Sequence, residues 1–413
     1  MDIRVSPSVL HGSVDIPASK SCTHRALICA ALTDGISHLS GVSMSVDIRA
    51  TIDAMTALGA KFSVNGSEIT VSGIGNAPGS NTGRAVIDCC ESGSTLRFLI
   101  PVAAAFGRDS EFLGRGRLPQ RPIDIYIREL SARGVTFKTT AMPYIMSGQL
   151  SGGRFELEGN VSSQFITGLL FALPLLPEDS EIVMTSRLES RPYVDMTIDM
   201  LSRFGIEVTD CGDLFVIPGR QCYRPCDIHI EGDYSQAAFF RAANAIGSSV
   251  IMNGLDPDSV QGDRRIMELA PVPDSGKADL PGFTVDCSDI PDLVPILSVL
   301  GAYSSGESVI YNAERLRIKE SDRLESAAAM LNNIGGDVTV KADGLVIRPT
   351  GQLKGGIVDG CGDHRIVMAA AIAALGCSGD VIIKGAEAVN KSYPEFFSDY
   401  IKLGGKAHVI DLE

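Results

Sequence analysis

Six short segments of this sequence place hydroxyl, acidic and basic side chains directly before a run of apolar residues. Each apolar run is long enough for a buried helix, so the polar residues would form its first turn. Free backbone N–H groups and the helix dipole attract anions at this end of a helix. The pattern therefore predicts a site for a ligand with several negative charges. The six segments are residues 19–25, 91–97, 160–164, 231–236, 289–292 and 362–365.

The polar segments recur because the chain contains a repeated unit of about seventy residues. Each apolar run leads into a β-branched segment, and the residues that mark these junctions are 59 to 73 positions apart. Glycine between a helix and the next strand recurs as well, which is typical of a left-handed helix cap. The junction markers are Ser37, Ser110, Ser180, Ser249, Ser308 and Asp380, and the glycines are Gly59, Gly134, Gly205, Gly335 and Gly404.

One copy of the repeat is expected to be degenerate. No capping glycine lies midway between Gly205 and Gly335, and three prolines interrupt residues 270–282, in the shortest copy. Six units of the βαβαββ type are too many for one hydrophobic core, so we expect three units in each of two domains. We place the boundaries so that residues 15–230 form one domain and residues 1–14 plus 231–413 form the other.

Composition limits the possible partners. The formal net charge of −14 argues against a nucleic-acid partner and against an anionic membrane surface. An anionic ligand must then be bound by local basic clusters, such as the arginines at 115, 117 and 121. No apolar stretch is long enough to span a membrane. Ten cysteines without a secretory signal indicate reduced thiols and a cytoplasmic protein. Neither the cysteines nor the histidines have zinc-ligand spacing, so no metal is expected.

Each candidate segment also has a purely structural explanation. Ser92 can be an ordinary helix cap, and Asp292 a carboxylate at a helix start. The charged run from Arg317 to Arg323, in which Lys319 and Arg323 would be neighbours on one helix, can be solvated surface. Recurrence at equivalent positions of the repeat favours a functional role. A glycine-rich stretch at residues 73–79 imitates a dinucleotide-binding loop, but its spacing is wrong and no helix follows.

In order along nearly the whole chain, these motifs resemble those of the 5-enolpyruvylshikimate-3-phosphate (EPSP) synthase family. That resemblance implies an α/β (α+β) fold of two similar domains. Each domain would have three βαβαββ repeats, as an inside-out α/β barrel, and the two would close over an interdomain cleft. The motifs are Ser19-Lys20-Ser21 with Arg25, Glu91-Ser92-Gly93-Ser94-Thr95-Leu96-Arg97, Arg121-Pro122-Ile123, Ser162-Ser163-Gln164-Phe165, Arg191-Pro192-Tyr193, Glu231-Gly232-Asp233, Ile290-Pro291-Asp292, Lys319-Glu320-Ser321-Asp322-Arg323, Asp363-His364-Arg365 and Lys391.

The resemblance implies transfer of the enolpyruvyl group of phosphoenolpyruvate to the 5-hydroxyl of shikimate 3-phosphate, with release of phosphate. No cofactor or metal would be required, and we expect a monomer. Asp292, Glu320 and Lys20 would be catalytic. Shikimate 3-phosphate would be bound by Lys20, Ser21, Arg25, Ser162, Ser163, Gln164, Ser190, Tyr193, Asp292 and Lys319. Phosphoenolpyruvate would be bound by Lys20, Gly93, Arg121, Gln164, Glu320, Arg323, Arg365 and Lys391.

The sequence departs from the family pattern in two places. Members often carry Asn-Ala-Gly-Thr where this chain has Glu91-Ser92-Gly93-Ser94, which retains the glycine but changes the local polarity. The polar residue expected near residues 312–316 stays unassigned. Among Lys20, Glu320, His364 and Lys391, the resemblance does not decide which group carries each proton.

Three other functions are compatible with part of this pattern. An enolpyruvyl transferase acting on UDP-N-acetylglucosamine shares the fold, but it typically has a cysteine in the loop that here contains Arg115 and Arg121. A noncatalytic anion-binding relative would not need both Asp292 and Glu320. The negative net charge disfavours an enzyme of related fold that processes nucleic-acid ends.

Overall fold

A computed structural model describes residues 1–75, 83–272 and 280–410 and has a mixed α/β structure. Its α-helices are α1 (Lys20–Leu32), α2 (Val46–Leu58), α3 (Gly93–Ala105), α4 (Asp124–Ser131), α5 (Ser163–Ala172), α6 (Arg191–Arg203), α7 (Tyr234–Ala245), α8 (Ile266–Leu269), α9 (Val294–Ala302), α10 (Arg323–Asn333), α11 (His364–Ala374) and α12 (Phe396–Lys402).

The strands of the same ranges are short. They are β1 (Asp2–Ser6), β2 (His11–Asp15), β3 (Ile36–Ser40), β4 (Lys61–Asn65), β5 (Glu68–Ser72), β6 (Ala85–Asp88), β7 (Ser110–Leu113), β8 (Val135–Phe137), β9 (Tyr144–Gly148), β10 (Gly153–Leu157), β11 (Ser180–Met184), β12 (Thr209–Asp210), β13 (Leu214–Ile217), β14 (Ile228–His229), β15 (Ser249–Asn253), β16 (Thr284–Asp286), β17 (Ser308–Tyr311), β18 (Asp337–Val340), β19 (Leu345–Arg348), β20 (Gly356–Asp359), β21 (Val381–Lys384) and β22 (Lys406–Ile410).

The chain divides into two compact units. The first unit comprises residues 18–231, and the second comprises residues 1–17 together with 232–413. The chain therefore starts in the second unit, passes into the first after Pro17 and returns after Glu231. These divisions lie within a few residues of the boundaries placed at residues 15 and 231 from the sequence.

The sheets repeat one topology, which is the βαβαββ unit predicted from the sequence. In the order β6-β7-β9-β8, the pair β6–β7 is parallel and the other two pairs are antiparallel. Helix α3 connects β6 to β7, and α4 lies between β7 and β8. The same order occurs in β10-β11-β13-β12 and in β16-β17-β19-β18.

Two sheets are completed by strands from the far end of their unit. Strand β14, at the end of the first unit, pairs in parallel with β3, near its beginning. Strand β1 lies between β21 and β22, close to the other terminus of the chain. Each unit is thereby closed by strands from both ends of its sequence, which holds its first and last repeats together.

The fourth copy of the repeat is reduced, as the sequence predicted. Its β15 pairs only with β2 among the described strands, and α8 has four residues. Residues 273–279 of the segment predicted to be degenerate lie outside the described residues, as do residues 76–79 of the rejected glycine-rich motif. The five glycines predicted as helix caps all have positive φ, between 76° and 121°.

The helices contribute about half of the residues of each core. All nine residues of α9 and all eleven of α11 are buried, so these helices have no solvent-facing side. A helix that is buried all round needs apolar residues on every face. Charged and large polar side chains are then confined to its ends, while a small hydroxyl such as that of Ser298 can be satisfied inside by the Pro295 carbonyl. This agrees with the concentration of the repeat's polar residues in the first turns.

Close packing of α3 against α5 depends on Gly168. A Cβ atom at this position would lie 2.2 Å from the Tyr126 hydroxyl and 2.3 Å from the backbone oxygen of Arg97. That hydroxyl shares its single proton between the carbonyls of Arg97 (2.7 Å) and Phe165 (2.9 Å). One buried tyrosine therefore joins the two helices whose first turns contain candidate site residues.

We predict that Gly168→Ala destabilises the protein, because the added methyl group has no space and overpacking costs roughly 1–3 kcal/mol. Thermal and urea unfolding would measure the loss. Gly83→Ala is the matched control, since a Cβ there meets no atom of the described residues within 4 Å. Equal stability of the two variants would contradict the packing described for α3 and α5.

Candidate functional site

The first turn of α1 contains the cationic segment predicted from the sequence. Ser19 caps the helix by accepting a hydrogen bond from the backbone N–H of Cys22 at 3.3 Å. Lys20 follows, and its Nζ lies 2.8 Å from Oδ2 of Asp47 in α2. The Lys20 side chain is 18% exposed, so the ammonium group is held by a carboxylate and still reaches solvent.

Arg25 lies one turn further along α1 and joins it to α6. Its guanidinium donates to the carbonyls of Ser21 (2.8 Å) and Tyr193 (2.7 Å) and to the hydroxyl of Thr197 (2.9 Å). Burial lowers the pKa of Arg25 to about 10, which leaves it charged at neutral pH. Since a guanidinium has five N–H groups, two remain for a ligand.

Gly93 and Arg121 are in close contact. Gly93 is the first residue of α3, and a Cβ atom there would lie 2.5 Å from Nη1 of Arg121. Arg121 follows a 3-10 turn at Leu118–Gln120 and is 7% exposed. Its Nε is buried without a hydrogen-bond partner among the described residues. A buried charge without a partner is costly, so this arrangement is typical of a group that binds an anion.

The amide of Gln164 is oriented by two neighbours. Ser162 caps α5, Ser163 begins the helix, and Gln164 follows. Arg97 donates to Oε1 of Gln164 at 2.8 Å, while Nε2 of Gln164 donates to the Ser94 hydroxyl at 3.1 Å. Arg97 is 2% exposed and belongs to a polar helix opening, yet it was not among the predicted ligand-binding residues.

Ser190 has a strained backbone. Its φ of 55° is in the left-handed region, it is 3% exposed, and it directly precedes α6. A residue other than glycine in this conformation costs of the order of 1 kcal/mol and often marks a functional site. The neighbouring Arg191 begins α6 and forms ion pairs with Asp195 (2.6 Å) and with Asp210.

In the second unit, Arg323 is bonded to three carboxylates. Its guanidinium donates to Asp292 at 2.8 Å, to Glu320 at 2.7 Å and to Asp363 at 2.8 Å. Arg323 is 2% exposed, and Asp363 is fully buried. Burial would lower the pKa of Arg323, but the three carboxylates raise it well above its usual value. The predicted residues Asp292, Glu320 and Arg323 therefore form one cluster.

Asp292 is shared between two arginines. Its Oδ1 accepts from Arg323, and its Oδ2 accepts from Nη2 of Arg365 at 2.8 Å. Burial alone would raise the pKa of Asp292. The charges of Arg365, Lys319 and Arg323 outweigh burial and hold this pKa well below its usual range. Asp292 lies in a 3-10 turn at Pro291–Leu293, so α9 itself begins one turn later than the sequence suggested.

The structure corrects the prediction for Lys319. We expected Lys319 and Arg323 to be neighbours on one helix, which was wrong. Lys319 has an extended backbone after a 3-10 turn at Glu314–Ile318, and α10 begins only at Arg323. The side chain of Asp322 caps α10 by accepting from the N–H of Glu325. Such a cap competes with continuation of a helix towards its N-terminus.

The remaining predicted residues of the second unit lie around the start of α11. Asp363 caps α11 by accepting from the N–H of Arg365 at 3.0 Å, and it also accepts from the Ser321 hydroxyl at 3.0 Å. Lys391 donates to the carbonyl of Gly362 at 2.7 Å. In the unassigned segment, Asn312 has a φ of 55° and donates to Asp286 at 3.0 Å.

The sequence analysis missed Asp263. This residue lies in a 3-10 turn at Gly262–Arg265 and is 5% exposed. Burial raises the pKa of Asp263 to about 8, and the negative charges of Asp292 and Asp233 add to this effect. No motif distinguishes the segment, so its burial next to the cluster could be recognised only in the folded chain.

Among residues 1–75, 83–272 and 280–410, no group of three or more histidine, cysteine or acidic side chains could hold a metal ion. Nor does any helix of these ranges have the length and hydrophobicity needed to cross a membrane.

We predict that Asp263 makes stability fall as pH rises. Its pKa is about 8 when folded and near 3.8 when exposed, so only the folded state keeps the proton between these values. Asp263→Asn is neutral at every pH and should melt at a higher temperature than the wild type at about pH 9, with a smaller difference at about pH 5 and little difference only at about pH 3. Asp258→Asn, at an exposed aspartate, is the control. A pH-independent difference would contradict the raised pKa.

Comparisons with known proteins found similar sequences and a similar fold. A family model described as EPSP synthase (3-phosphoshikimate 1-carboxyvinyltransferase) matches residues 5–400. Proteins named 3-phosphoshikimate 1-carboxyvinyltransferase are 44% identical in Clostridium novyi (strain NT) and 43% identical in Clostridium beijerinckii, and each match covers 98% of both chains. The structure of EPSP synthase from Acinetobacter baumannii matches with a TM-score of 0.82 at 24% identity, covering 99% of this chain and 100% of that one.

Proposed function

Because the chain belongs to the EPSP synthase family, we propose that it transfers the enolpyruvyl group of phosphoenolpyruvate to the 5-hydroxyl of shikimate 3-phosphate. Phosphate is released, and the product leads through the shikimate pathway to chorismate and the aromatic amino acids. The reaction requires cations for two phosphates and a carboxylate, a base for the hydroxyl, and an acid for the enol methylene.

The observation that best supports this proposal is the buried guanidinium of Arg121 beside Gly93. A side chain at position 93 would collide with Arg121, so glycine allows that guanidinium to lie against the first turn of α3. A compact anion such as phosphoenolpyruvate fits such a site, since the ligand itself would provide the missing counter-charge. The other residues proposed to bind phosphoenolpyruvate are Lys20, Gln164, Glu320, Arg323, Arg365 and Lys391.

Shikimate 3-phosphate carries a phosphate, a carboxylate and hydroxyl groups, and the first unit offers matching donors. Arg25 has two N–H groups left for a ligand, and the first turns of α1 and α5 present hydroxyl groups beside free backbone N–H groups. The strained backbone of Ser190 is explained if its side chain must be held towards a substrate. The proposed set is Lys20, Ser21, Arg25, Ser162, Ser163, Gln164, Ser190, Tyr193, Asp292 and Lys319.

Asp292 is proposed as the base that accepts the proton of the 5-hydroxyl. Its low pKa makes it ionised but weakly basic while two arginines are bonded to it. An anionic substrate that binds Arg323 and Arg365 would share their positive charge. The basicity of Asp292 would then rise when phosphoenolpyruvate is bound. Removal of the 5-hydroxyl proton would therefore depend on the presence of bound phosphoenolpyruvate.

Glu320 and Lys20 are proposed to move the proton at the methylene carbon. Protonation of that carbon and attack of the 5-oxygen on C2 give a tetrahedral intermediate. Loss of phosphate and of a proton from the new methyl group restores the double bond. Glu320 is held by Arg323 and Lys20 by Asp47, so both groups are fixed by an ion pair. The balance of this scheme requires no oxidant, metal or organic cofactor.

The test of this function is phosphate release by the purified protein from phosphoenolpyruvate with either of two acceptors. We expect release with shikimate 3-phosphate and none with UDP-N-acetylglucosamine. Release with the nucleotide sugar would instead assign the related transferase activity. Binding of shikimate 3-phosphate without release would indicate a noncatalytic relative.

We predict that Asp292→Asn lowers kcat by roughly 10²–10⁴-fold, the usual contribution of a general base. Binding of shikimate 3-phosphate, measured by calorimetry, should change little because most of its proposed ligands are elsewhere. Asp337→Asn changes an exposed aspartate of the same unit and serves as the control. Turnover within a few-fold of wild type in Asp292→Asn would remove this residue from the mechanism.

We predict that Arg25→Ala weakens binding of shikimate 3-phosphate by roughly ten- to a hundredfold, since hydrogen bonds to a charged group contribute about 1.5–3 kcal/mol. Calorimetric titration measures the dissociation constant, and thermal melting reports the accompanying loss of the α1–α6 contacts. Arg203→Ala, at the exposed end of α6, is the matched control. An unchanged dissociation constant would mean that Arg25 is purely structural.

Cytoplasmic location and a monomeric state complete the proposal. The ten cysteines all lie in the described ranges as free thiols, which suits a reducing compartment. Sedimentation of the purified protein would test the monomeric state, and a concentration-dependent larger species would contradict it.

A further inference from the structure

His24 is a buried histidine among the candidate binding residues of α1. It lies one turn after Lys20 and directly precedes Arg25, and it is 1% exposed. Neither the sequence motifs nor the proposed mechanism assigns it a role. Its ring packs edge-on against Phe98 of α3, with 6.4 Å between the ring centroids.

A line of buried hydrogen bonds runs from His24 through three helices. Nδ1 of His24 is 2.8 Å from the hydroxyl of Thr51 in α2, and this hydroxyl is 2.7 Å from that of Thr95 in α3. The Thr95 hydroxyl then donates to Oγ of Ser92 at 2.8 Å. All four side chains are at most 1% exposed. We call this set the His24 relay.

The hydrogen bonds of the relay point in one direction. Each hydroxyl has a single proton, and that of Thr95 is donated to Ser92. Thr51 must then donate to Thr95, and Nδ1 of His24 must donate to Thr51. Burial lowers the pKa of His24 well below its usual value, and the charges of Lys20 and Arg25 lower it further. The ring is therefore neutral with its proton on Nδ1.

The relay ends at the residue that sets the start of α3. Oγ of Ser92 also accepts from the backbone N–H of Thr95 at 3.1 Å, which caps the helix. The next residue is Gly93, which lies against the guanidinium of Arg121. A small displacement of this cap would therefore change the space beside Arg121, where there is no room for even one added carbon atom.

We propose that His24 is a positioning residue that acts through Thr51, Thr95 and Ser92 to hold Gly93 at the correct distance from Arg121. The inference rests on the proposed function and adds a determinant of phosphoenolpyruvate affinity within the first unit. The relay belongs to the first unit, whereas the Arg323 cluster belongs to the second. Its loss should thus affect binding of phosphoenolpyruvate more than the chemical step.

Thr51→Val tests the relay in its middle. Valine has the shape of threonine without the hydroxyl group, and Thr51 is not among the proposed ligand-binding residues. We expect the KM for phosphoenolpyruvate to rise roughly two- to tenfold, the range for loss of one or two neutral hydrogen bonds. The KM for shikimate 3-phosphate and kcat should stay within about twofold. Thr56→Val makes the same substitution in α2 at a hydroxyl whose only hydrogen bond among the described residues is to the Ile52 carbonyl, and it should leave all three constants unchanged.

His24→Asn and His24→Leu test the first member. The asparagine amide can place an N–H donor near the position of Nδ1, whereas leucine fills the space without a donor. We expect the leucine variant to raise the KM for phosphoenolpyruvate and the asparagine variant to restore it towards the wild-type value. This pair provides the test if Thr51→Val does not fold, as judged by thermal melting. Nitrogen NMR of the wild type at neutral pH should show His24 neutral, with the proton on Nδ1.

The outcomes separate this inference from the proposed function. Shikimate-dependent phosphate release by the wild type, together with unchanged KM values in Thr51→Val or in His24→Leu, would overturn the relay and leave the function standing. An equal rise in the KM values of both substrates would also overturn it, because that indicates general damage. Absence of turnover in the wild type would overturn the function and this inference together.

Discussion

The ion cluster around Arg323 constrains the rest of the second-unit site. One buried guanidinium binds Asp292, Glu320 and Asp363, and Asp363 in turn caps the helix that carries Arg365. Removing the arginine would leave carboxylates close together in a buried environment, which is strongly destabilising. The cluster holds the proposed base and the proposed acid in fixed positions. It also contains the positive charge to which an anionic substrate would bind, so affinity and proton transfer depend on the same group.

In the first unit, the candidate binding residues are held in place by fewer ion pairs and by more hydroxyl groups. Its helices are buried, so polar side chains are concentrated at their first turns, where backbone N–H groups are also free. Arg25 and Arg97 hold neighbouring main-chain and amide groups in place. Arg121 holds no such group among the described residues, and Gly93 allows its guanidinium to lie against the first turn of α3. The repeat thus provides equivalent helix ends, and these ends differ in the polar side chains that they carry.

The repeat, its capping glycines and the polar first turns were predictable because they depend on local periodicity and turn chemistry. The pairing of β14 with β3, and of β1 with β21, was not, since those partners are far apart in sequence. The helical contact between Lys319 and Arg323 was predicted wrongly because spacing alone does not reveal the cap at Asp322. Asp263 and the His24 relay were missed for one reason. Both were recognised because they are buried beside residues of other helices and strands. A sequence pattern does not show which distant residues will be neighbours in the folded chain.

Protonation of the methylene carbon by a group fixed in the site can be tested by deuterium exchange from the solvent. The reaction would be run in D₂O and stopped before completion, and the methylene groups of recovered phosphoenolpyruvate and product would be examined by mass spectrometry. Addition followed by elimination makes a transient methyl group, so the account predicts deuterium in that methylene only when shikimate 3-phosphate is present. Phosphate release without deuterium in the product would contradict it, because no proton would then have been added at that carbon.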